Sequence, residues 1–384
     1  MRFAEALRQP GLTAIAEVKR RSPSAGDLRP DADPAALAVA FERSRSAAVS
    51  ILVDERFGGS FDDLRAARAA TELPLLAKGF FSTRAHLEEA RESGADAVLL
   101  LLRDLDDPTA LQLLRAAQEL ELDALVEAHD KDELRRAVRV DAEVIGINAR
   151  DLTTFEIDRI AQLELVSQAP RDRVIVAESG IVSRAQGAAA ELAGADAVLV
   201  GSTLMRAPDP AAKLAELVSR PLVKVCGLTR EEDVAVAAEA GADMAGFILV
   251  EESPRRAAEV LPVPETMLSV AVHVGEYKDH GTDLVQLYEQ QQGTVRGRDA
   301  VLLRNGEVVA RALDLPWEES DPEHLARAAQ ADGRVMLAGR LGPDNVRAAI
   351  EAVQPWAVDA ASRLEREPGI KDHEKVRAFV EAAR

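Results

Sequence analysis

At 384 residues, 47% apolar and 29% charged, the chain is long enough for two or more domains and has the composition of a folded globular protein. A net charge of −19 argues against a nucleic-acid or membrane-surface partner, although a local basic pocket can still hold an anion. The single cysteine, Cys226, excludes an intramolecular disulfide and a multi-cysteine metal site, and no signal-peptide pattern or membrane-length apolar run is present, so the expected compartment is the cytoplasm.

Taken in chain order, the first half offers eight apolar strands, at about residues 12–19, 47–54, 73–78, 96–102, 123–128, 144–148, 173–178 and 196–201. Helical patterns such as STRAHLEEARES and KDELRRAV separate them. One phrase recurs as ESGADAVLLLL from Glu92, ELAGADAVLVG from Glu191 and EAGADMAGFIL from Glu239. Each is a helix ending, a glycine suited to a left-handed cap, and a strand of nearly continuous apolar residues, as a parallel sheet covered by helices requires. Eight such units in about 215 residues match the size and rhythm of a (β/α)8 barrel. An open doubly wound sheet is the alternative, but no GxGxxG follows the first strand.

A second round begins after LVSRP with LVKVCGL, MAGFILV, LSVAVHV, DLVQLYE, DAVLLR, VVARALD, RVMLAG and AVDAAS. It is shorter and irregular. RNGE, Arg304 to Glu307, is a hairpin turn that makes its two flanking strands antiparallel, and one connection is too short for a crossover helix. The expected architecture is α/β: a (β/α)8 barrel over residues 1–218, then a shortened or distorted barrel over 221–384.

Barrel active sites lie at the C-terminal ends of the strands, and the first half places polar residues there repeatedly. Strand one ends with Glu17 and Lys19, which project from one face because strand side chains alternate. Strand three ends with Lys78, five with Glu127, six with Asn148 and Arg150, seven with Glu178 and Ser179, and eight with Gly201 and Ser202. Only eight of the 47 basic residues are lysines, so a lysine at a strand end is worth singling out: it moves protons where arginine does not. Converging so many charges on one mouth costs several kcal/mol apiece unless something offsets it, which favours catalysis over a structural ion pair. ESG and GS at the ends of strands seven and eight offer backbone N–H groups to a phosphate, so the expected ligand is a small phosphorylated sugar derivative.

IAEVKRRSPSAGDL, DERFGGS, LLAKGFF, ALVEAH, IGINARDLTTFEID, VIVAESGI and ADAVLVGSTLM closely resemble indole-3-glycerol-phosphate synthase, from about Phe3 to Pro210. The resemblance implies a cofactor-free carboxy-lyase of tryptophan biosynthesis, with no metal. It closes the indole ring of carboxyphenylamino-deoxyribulose phosphate with loss of CO2 and water. By position, Lys78 matches the general acid and Glu127 a carboxylate that exchanges protons during dehydration. Lys19 matches a group that binds the substrate's acidic groups and shares the acid role. Glu17, Asn148 and Glu178 match residues that orient substrate and stabilise a cationic intermediate. Gly180, Gly201 and Ser202, beside Ser179, match the phosphate site, and Ser22 and Arg150 its anionic surroundings. Two departures stand out: the family's further helices before the first strand have no counterpart here, and Gly79 replaces the aspartate after the acid lysine. An aldolase using Lys78 as a Schiff base is a rival of another type.

VKVCGLT, GADMAGFILVEESPRR, VQLYE, LAGRLGPDNV and VDAASRLEREPGIKDHEKVRAFVEA resemble phosphoribosylanthranilate isomerase, which acts one step earlier. Cys226 matches its general base and Arg255 its substrate-carboxylate arginine. Its acid is an aspartate closing the sixth strand; by sequence pattern Arg304 holds that place, with Asp314 as a substitute. Tyr288 replaces a histidine, and Arg340 and Arg363 stand where glycines line the phosphate site. The expectation is therefore an active synthase with an inactive or weak isomerase domain. The alternatives are a fully bifunctional enzyme, or a second half that is purely structural or partner-binding, with other tryptophan-pathway enzymes as candidate partners.

Overall fold

The computed structural model describes residues 2–23, 26–218, 221–289, 299–314 and 322–384. They form two compact units, one reaching Val218 but without Ser183–Gln186, the other starting at Pro221 and including those four residues, and each unit closes its own eight-stranded barrel. Among the described residues no helix is long and apolar enough to cross a membrane.

The first barrel is built from β1 (Thr13–Val18), β2 (Ala48–Leu52), β3 (Leu75–Lys78), β4 (Ala97–Leu101), β5 (Asp123–Ala128), β6 (Val144–Asn148), β7 (Val174–Glu178) and β8 (Ala197–Val200). Each strand pairs in parallel with its neighbours in sequence, and β8 returns to β1. Ile15, Leu76, Leu99, Leu125, Val176 and Leu199 fill the interior, and the helix Phe3–Leu7 adds Phe3, Ala4 and Leu7 to the same cluster. That helix sits at the N-terminal end of the barrel, where the Ala4 backbone N–H donates to Asp123 at 3.0 Å. The opposite end stays open.

The recurring GAD phrase has a definite task. Its glycine takes a left-handed turn out of the preceding helix, with φ 97° at Gly94, 118° at Gly194 and 88° at Gly241. Its aspartate then accepts a backbone N–H near the start of an adjoining strand: Asp96 from Leu75, the first residue of its strand, at 2.9 Å, and Asp196 from Ile175 and Asp243 from Val223, each the second residue of its strand, at 2.8 Å and 2.9 Å. A strand start thus gets an acceptor for a donor that the ladder does not reach.

The second barrel comprises β9 (Leu222–Cys226), β10 (Met244–Ile248), β11 (Leu268–Val274), β12 (Leu284–Tyr288), β13 (Asp299–Arg304), β14 (Glu307–Asp314), β15 (Val335–Ala338) and β16 (Ala357–Ala360). Among the described residues no helix lies between β10 and β11 or between β11 and β12. β13 runs antiparallel to both neighbours, turned by Asn305 and Gly306 at φ 51° and 82°. This overturns the placement of Arg304 at the family's acid position. Arg304 ends the fifth strand, which points the other way, while the sixth strand is β14 and ends on Asp314, in register with Ala338 at the end of β15.

Candidate active site

Alternation along each strand decides what reaches the mouth of the first barrel. Interior Ile15, Leu76, Leu125 and Val176 are followed two residues later by Glu17, Lys78, Glu127 and Glu178. The Lys78 ammonium donates to Glu178 Oε2 at 2.7 Å and lies 3.3 Å from Glu17 Oε2. Lys19 Nζ meets the other oxygen of Glu17 at 2.7 Å. Farther round, Asn148 Nδ2 donates to Glu127 Oε1 at 3.0 Å, and the Asn148 side-chain oxygen Oδ1 accepts the Arg150 backbone N–H at 3.0 Å. Two glycines make the room. A Cβ on Gly201 would stand 2.2 Å from Glu17 Oε1, and one on Gly146 would stand 2.1 Å from Glu178 Oε1.

The charges in this cage are strongly coupled. Burial favours the neutral acid at Glu17, yet Lys19 and Lys78 outweigh it and pull the carboxyl down to about 2. Burial likewise works against the Lys78 cation, but Glu178, Glu17 and Glu127 hold its pKa well above the usual lysine range. Glu178 goes the other way, up to about 7, because burial and the neighbouring carboxylates Glu127 and Glu17 exceed the help from Lys78. One lysine is therefore firmly protonated between carboxylates, one of which titrates near neutrality.

Above the cage lies a cavity of about 160 Å3. Glu17, Lys19, Ser22, Lys78, Glu127, Asn148, Arg150, Ser179, Gly180, Gly201 and Ser202 all line it, and Glu178 lies just beneath, bonded to Lys78. Consecutive left-handed residues, Ser179 at φ 69° and Gly180 at φ 72°, turn the chain back at one end. Such a conformation at a non-glycine residue is strained, and strain of this kind collects at functional sites. Thr203 Oγ1 donates to the Ile181 carbonyl at 2.7 Å and ties this turn to the start of the helix Ser202–Arg206. Burial and the adjacent Arg206 cation both press the Arg150 guanidinium below its usual value, a crowding of positive charge that an anion would relieve.

Three features escaped the sequence reading. Phe57 and Phe80 stack at 6.5 Å and form an apolar wall of the cavity, with Arg56 placed 3.9 Å above the Phe80 ring. Aromatics are only 3% of the chain, so Phe80, two residues past the Lys78 strand end, was a usable signal. Arg206 gave none, since its proximity to Arg150 is tertiary. His129 follows Glu127 by two residues and precedes Glu133 by four, a spacing that could have found it.

In the second barrel Cys226 ends β9, and Lys224, on the same strand face, is fully buried. Lys224 Nζ contacts Gln286 Oε1 at 2.6 Å and Asp359 Oδ2 at 3.1 Å, while Gln286 Nε2 donates to the Tyr288 hydroxyl at 2.9 Å. Burial pushes the Cys226 thiol up, and the Lys224 cation only partly reverses this. Tyr288 is raised by burial and then by Asp314, Asp359 and Cys226, so Asp314 acts on the same interior group as the cysteine. Arg255 is held by Glu365, its Nε 2.9 Å from both oxygens. Arg363 turns to Asp344 at 2.8 Å, and Arg340 takes a left-handed φ of 56° where a glycine would be unstrained.

The family model for indole-3-glycerol phosphate synthase matches residues 1–217, and that for N-(5'-phosphoribosyl)anthranilate isomerase matches residues 318–382. An indole-3-glycerol phosphate synthase of Mycobacterium ulcerans (strain Agy99) is 47% identical over 215 residues, covering 56% of this chain and 79% of the relative. One from Streptomyces griseus is 46% identical, covering 56% and 80%. A crystal structure of TrpF from Jonesia denitrificans is 29% identical and covers 43% of this chain and 97% of that one, with a TM-score of 0.35. The chain belongs to the indole-3-glycerol phosphate synthase family and carries a phosphoribosylanthranilate isomerase domain at its C-terminal end.

Proposed function

We propose that the first barrel closes the indole ring of carboxyphenylamino-deoxyribulose phosphate with Lys78 as general acid. The observation that carries this is the Lys78 ammonium at the cavity floor, gripped by Glu178 and Glu17 and facing an anion-suited turn across the cavity. The phosphate sits between Gly180 and Gly201–Ser202, with Arg150 and Ser22 near it, and the aromatic ring lies against Phe57 and Phe80. This brings the sugar carbonyl to Lys78. Protonation of that oxygen makes the carbonyl carbon electrophilic enough for the carboxyl-bearing ring carbon to attack. The ring then carries positive charge, which Glu17 and Glu178 stabilise and Asn148 helps orient, until CO2 departs. Loss of the hydroxyl as water needs an acid at the oxygen and a base for the remaining proton; Lys19 or Lys78 supplies the first and Glu127 the second. A Schiff base would need a neutral amine, and the carboxylates around Lys78 oppose that state.

The intact chain, given this substrate, should release one CO2 and one fluorescent indole-glycerol phosphate per turnover. Consumption without CO2, or a lysine adduct trapped by borohydride, would favour the aldolase rival.

A second reading rests on β14. Because the sixth strand ends on Asp314, a thiol and a carboxylate, Cys226 and Asp314, stand at the C-terminal ends of the first and sixth strands, and this reading takes them as base and acid. The case for lost acid chemistry rested on Arg304 and falls with it. On this reading the domain is an isomerase, made slow by the raised thiol pKa and by the Glu365-held Arg255. Phosphoribosylanthranilate turnover by the intact chain, abolished by Asp314→Asn, tests this reading. No turnover in the wild type returns the second half to a structural role.

A further inference from the structure

One more ionisable group follows Glu127, just past the end of β5. His129 projects from the same side two residues on, and both of its ring nitrogens meet carboxylates. Nε2 is 3.1 Å from Glu127 Oε1, an ion-pair distance with imperfect hydrogen-bond alignment. Nδ1 is 2.9 Å from Glu133 Oε2, and the same oxygen accepts the His129 backbone N–H at 2.8 Å. Glu133 is fixed in turn, because it stands in the first turn of the helix Lys131–Arg139, whose N-cap Asp130 accepts from the Glu133 backbone at 2.8 Å. The imidazole is thus clamped from behind by a helix start and pressed forward onto Glu127.

We infer that His129 is a positioning residue for ring closure, acting through Glu127 by fixing its carboxylate beside Asn148 at the cavity edge. The inference rests on the base role proposed above for Glu127. Asn148 and His129 both address Oε1, so neither of them holds Oε2. Satisfying two carboxylates requires a proton on each ring nitrogen, and the pKa of His129 agrees: burial lowers it, but Glu127 and Glu133 bring it up to about 10. The charged groups that face the pair from neighbouring elements are Lys78, Glu178, Arg103, Glu133 and Asp151. Burial pushes Glu127 toward its neutral form, and the His129 and Lys78 cations reverse this, keeping it below the ordinary glutamate value. A helix cap alone would need only Glu133 and the backbone N–H, not a ring spanning to Glu127.

The test compares His129→Gln, Glu133→Gln and Glu127→Gln in the full chain, with kcat and KM for the ring-closure substrate measured from about pH 5 to pH 9. His129→Gln should lower kcat roughly tenfold or more, as a misplaced reacting group does, with KM within about twofold. The acidic limb of kcat should move to higher pH, because Glu127 without the imidazolium ionises less readily. Glu133→Gln should shift kcat and limb in the same direction by less, and it decides the matter if His129→Gln does not fold. Wild-type kcat and limb in both variants, or a loss of kcat with an unmoved limb, would overturn the inference while leaving Glu127 intact. Full turnover by Glu127→Gln would instead refute the base role itself.

Discussion

Glu17 and Lys19 could be read from alternation alone, because two charges at i and i+2 of an apolar strand must share a face, and that face proved to be the cavity floor. What each charge does there was not legible, since it depends on which oxygen meets which nitrogen across strands 60 or more residues apart; the pairing of Lys78 with Glu178 spans 100 positions. Glu178 shows the consequence. Its folded pKa of about 7 stands above the ordinary 4.5, so its contribution to stability is full below pH ~4.5 and is lost as pH rises through about 7. Glu178→Gln removes this dependence. Between about pH 5 and pH 8 the stability difference should therefore move in the variant's favour by up to roughly 3 kcal/mol. Hydrogen exchange in the strands of the first barrel reads this directly, because both tryptophans, Trp317 and Trp356, belong to the second half. A difference that does not change with pH would mean that Glu178 is ionised like any surface glutamate.

At the scale of elements, neighbouring strands are matched in detail: a glycine on one makes space for a carboxylate on the next. A Cβ on Gly201 would meet Glu17 Oε1 at 2.2 Å, so Gly201→Ala puts its methyl against Glu17 and displaces that carboxylate. Turnover should fall about tenfold or more, since small displacements of reacting groups cost that much, while stability falls by only ~1–3 kcal/mol. Unchanged steady-state turnover would show that Gly201 only packs. The strands of both barrels, including the RNGE hairpin, were legible from apolar runs and turn residues. The same strand order already made VVARALD the sixth strand; Arg304 was misplaced by the likeness of DAVLLR to the family's acid segment, which ignored that order. The antiparallel β13 moves Arg304 away from the Asp314 end of the neighbouring strand. Arg304→Ala should accordingly leave any isomerase rate within about twofold, whereas Asp314→Asn should lower it by ~10²-fold or more, as loss of a general acid does. The reverse pattern would restore Arg304 to the site.

Across the whole molecule, two barrels with separate cores carry two separate sets of ionisable groups. The first set is dense and strongly coupled. The second holds a buried thiol and an arginine already tied to Glu365. Cys226→Ala should leave ring closure by the intact chain unchanged in both kcat and KM; a loss would mean that the two chemistries are linked. A single cysteine is enough to exclude an intramolecular disulfide, but the surroundings of each set of ionisable groups are legible only from packing. The central claim is that ring closure depends on the Lys78 ammonium inside its cage of carboxylates. The most direct test is single-turnover ring closure by Lys78→Met in the full chain, with substrate binding measured alongside. The account predicts near-normal binding and a rate lower by ~10²-fold or more, the usual contribution of general acid catalysis. A variant that keeps more than about a tenth of the wild-type rate would contradict it and pass the acid role to Lys19.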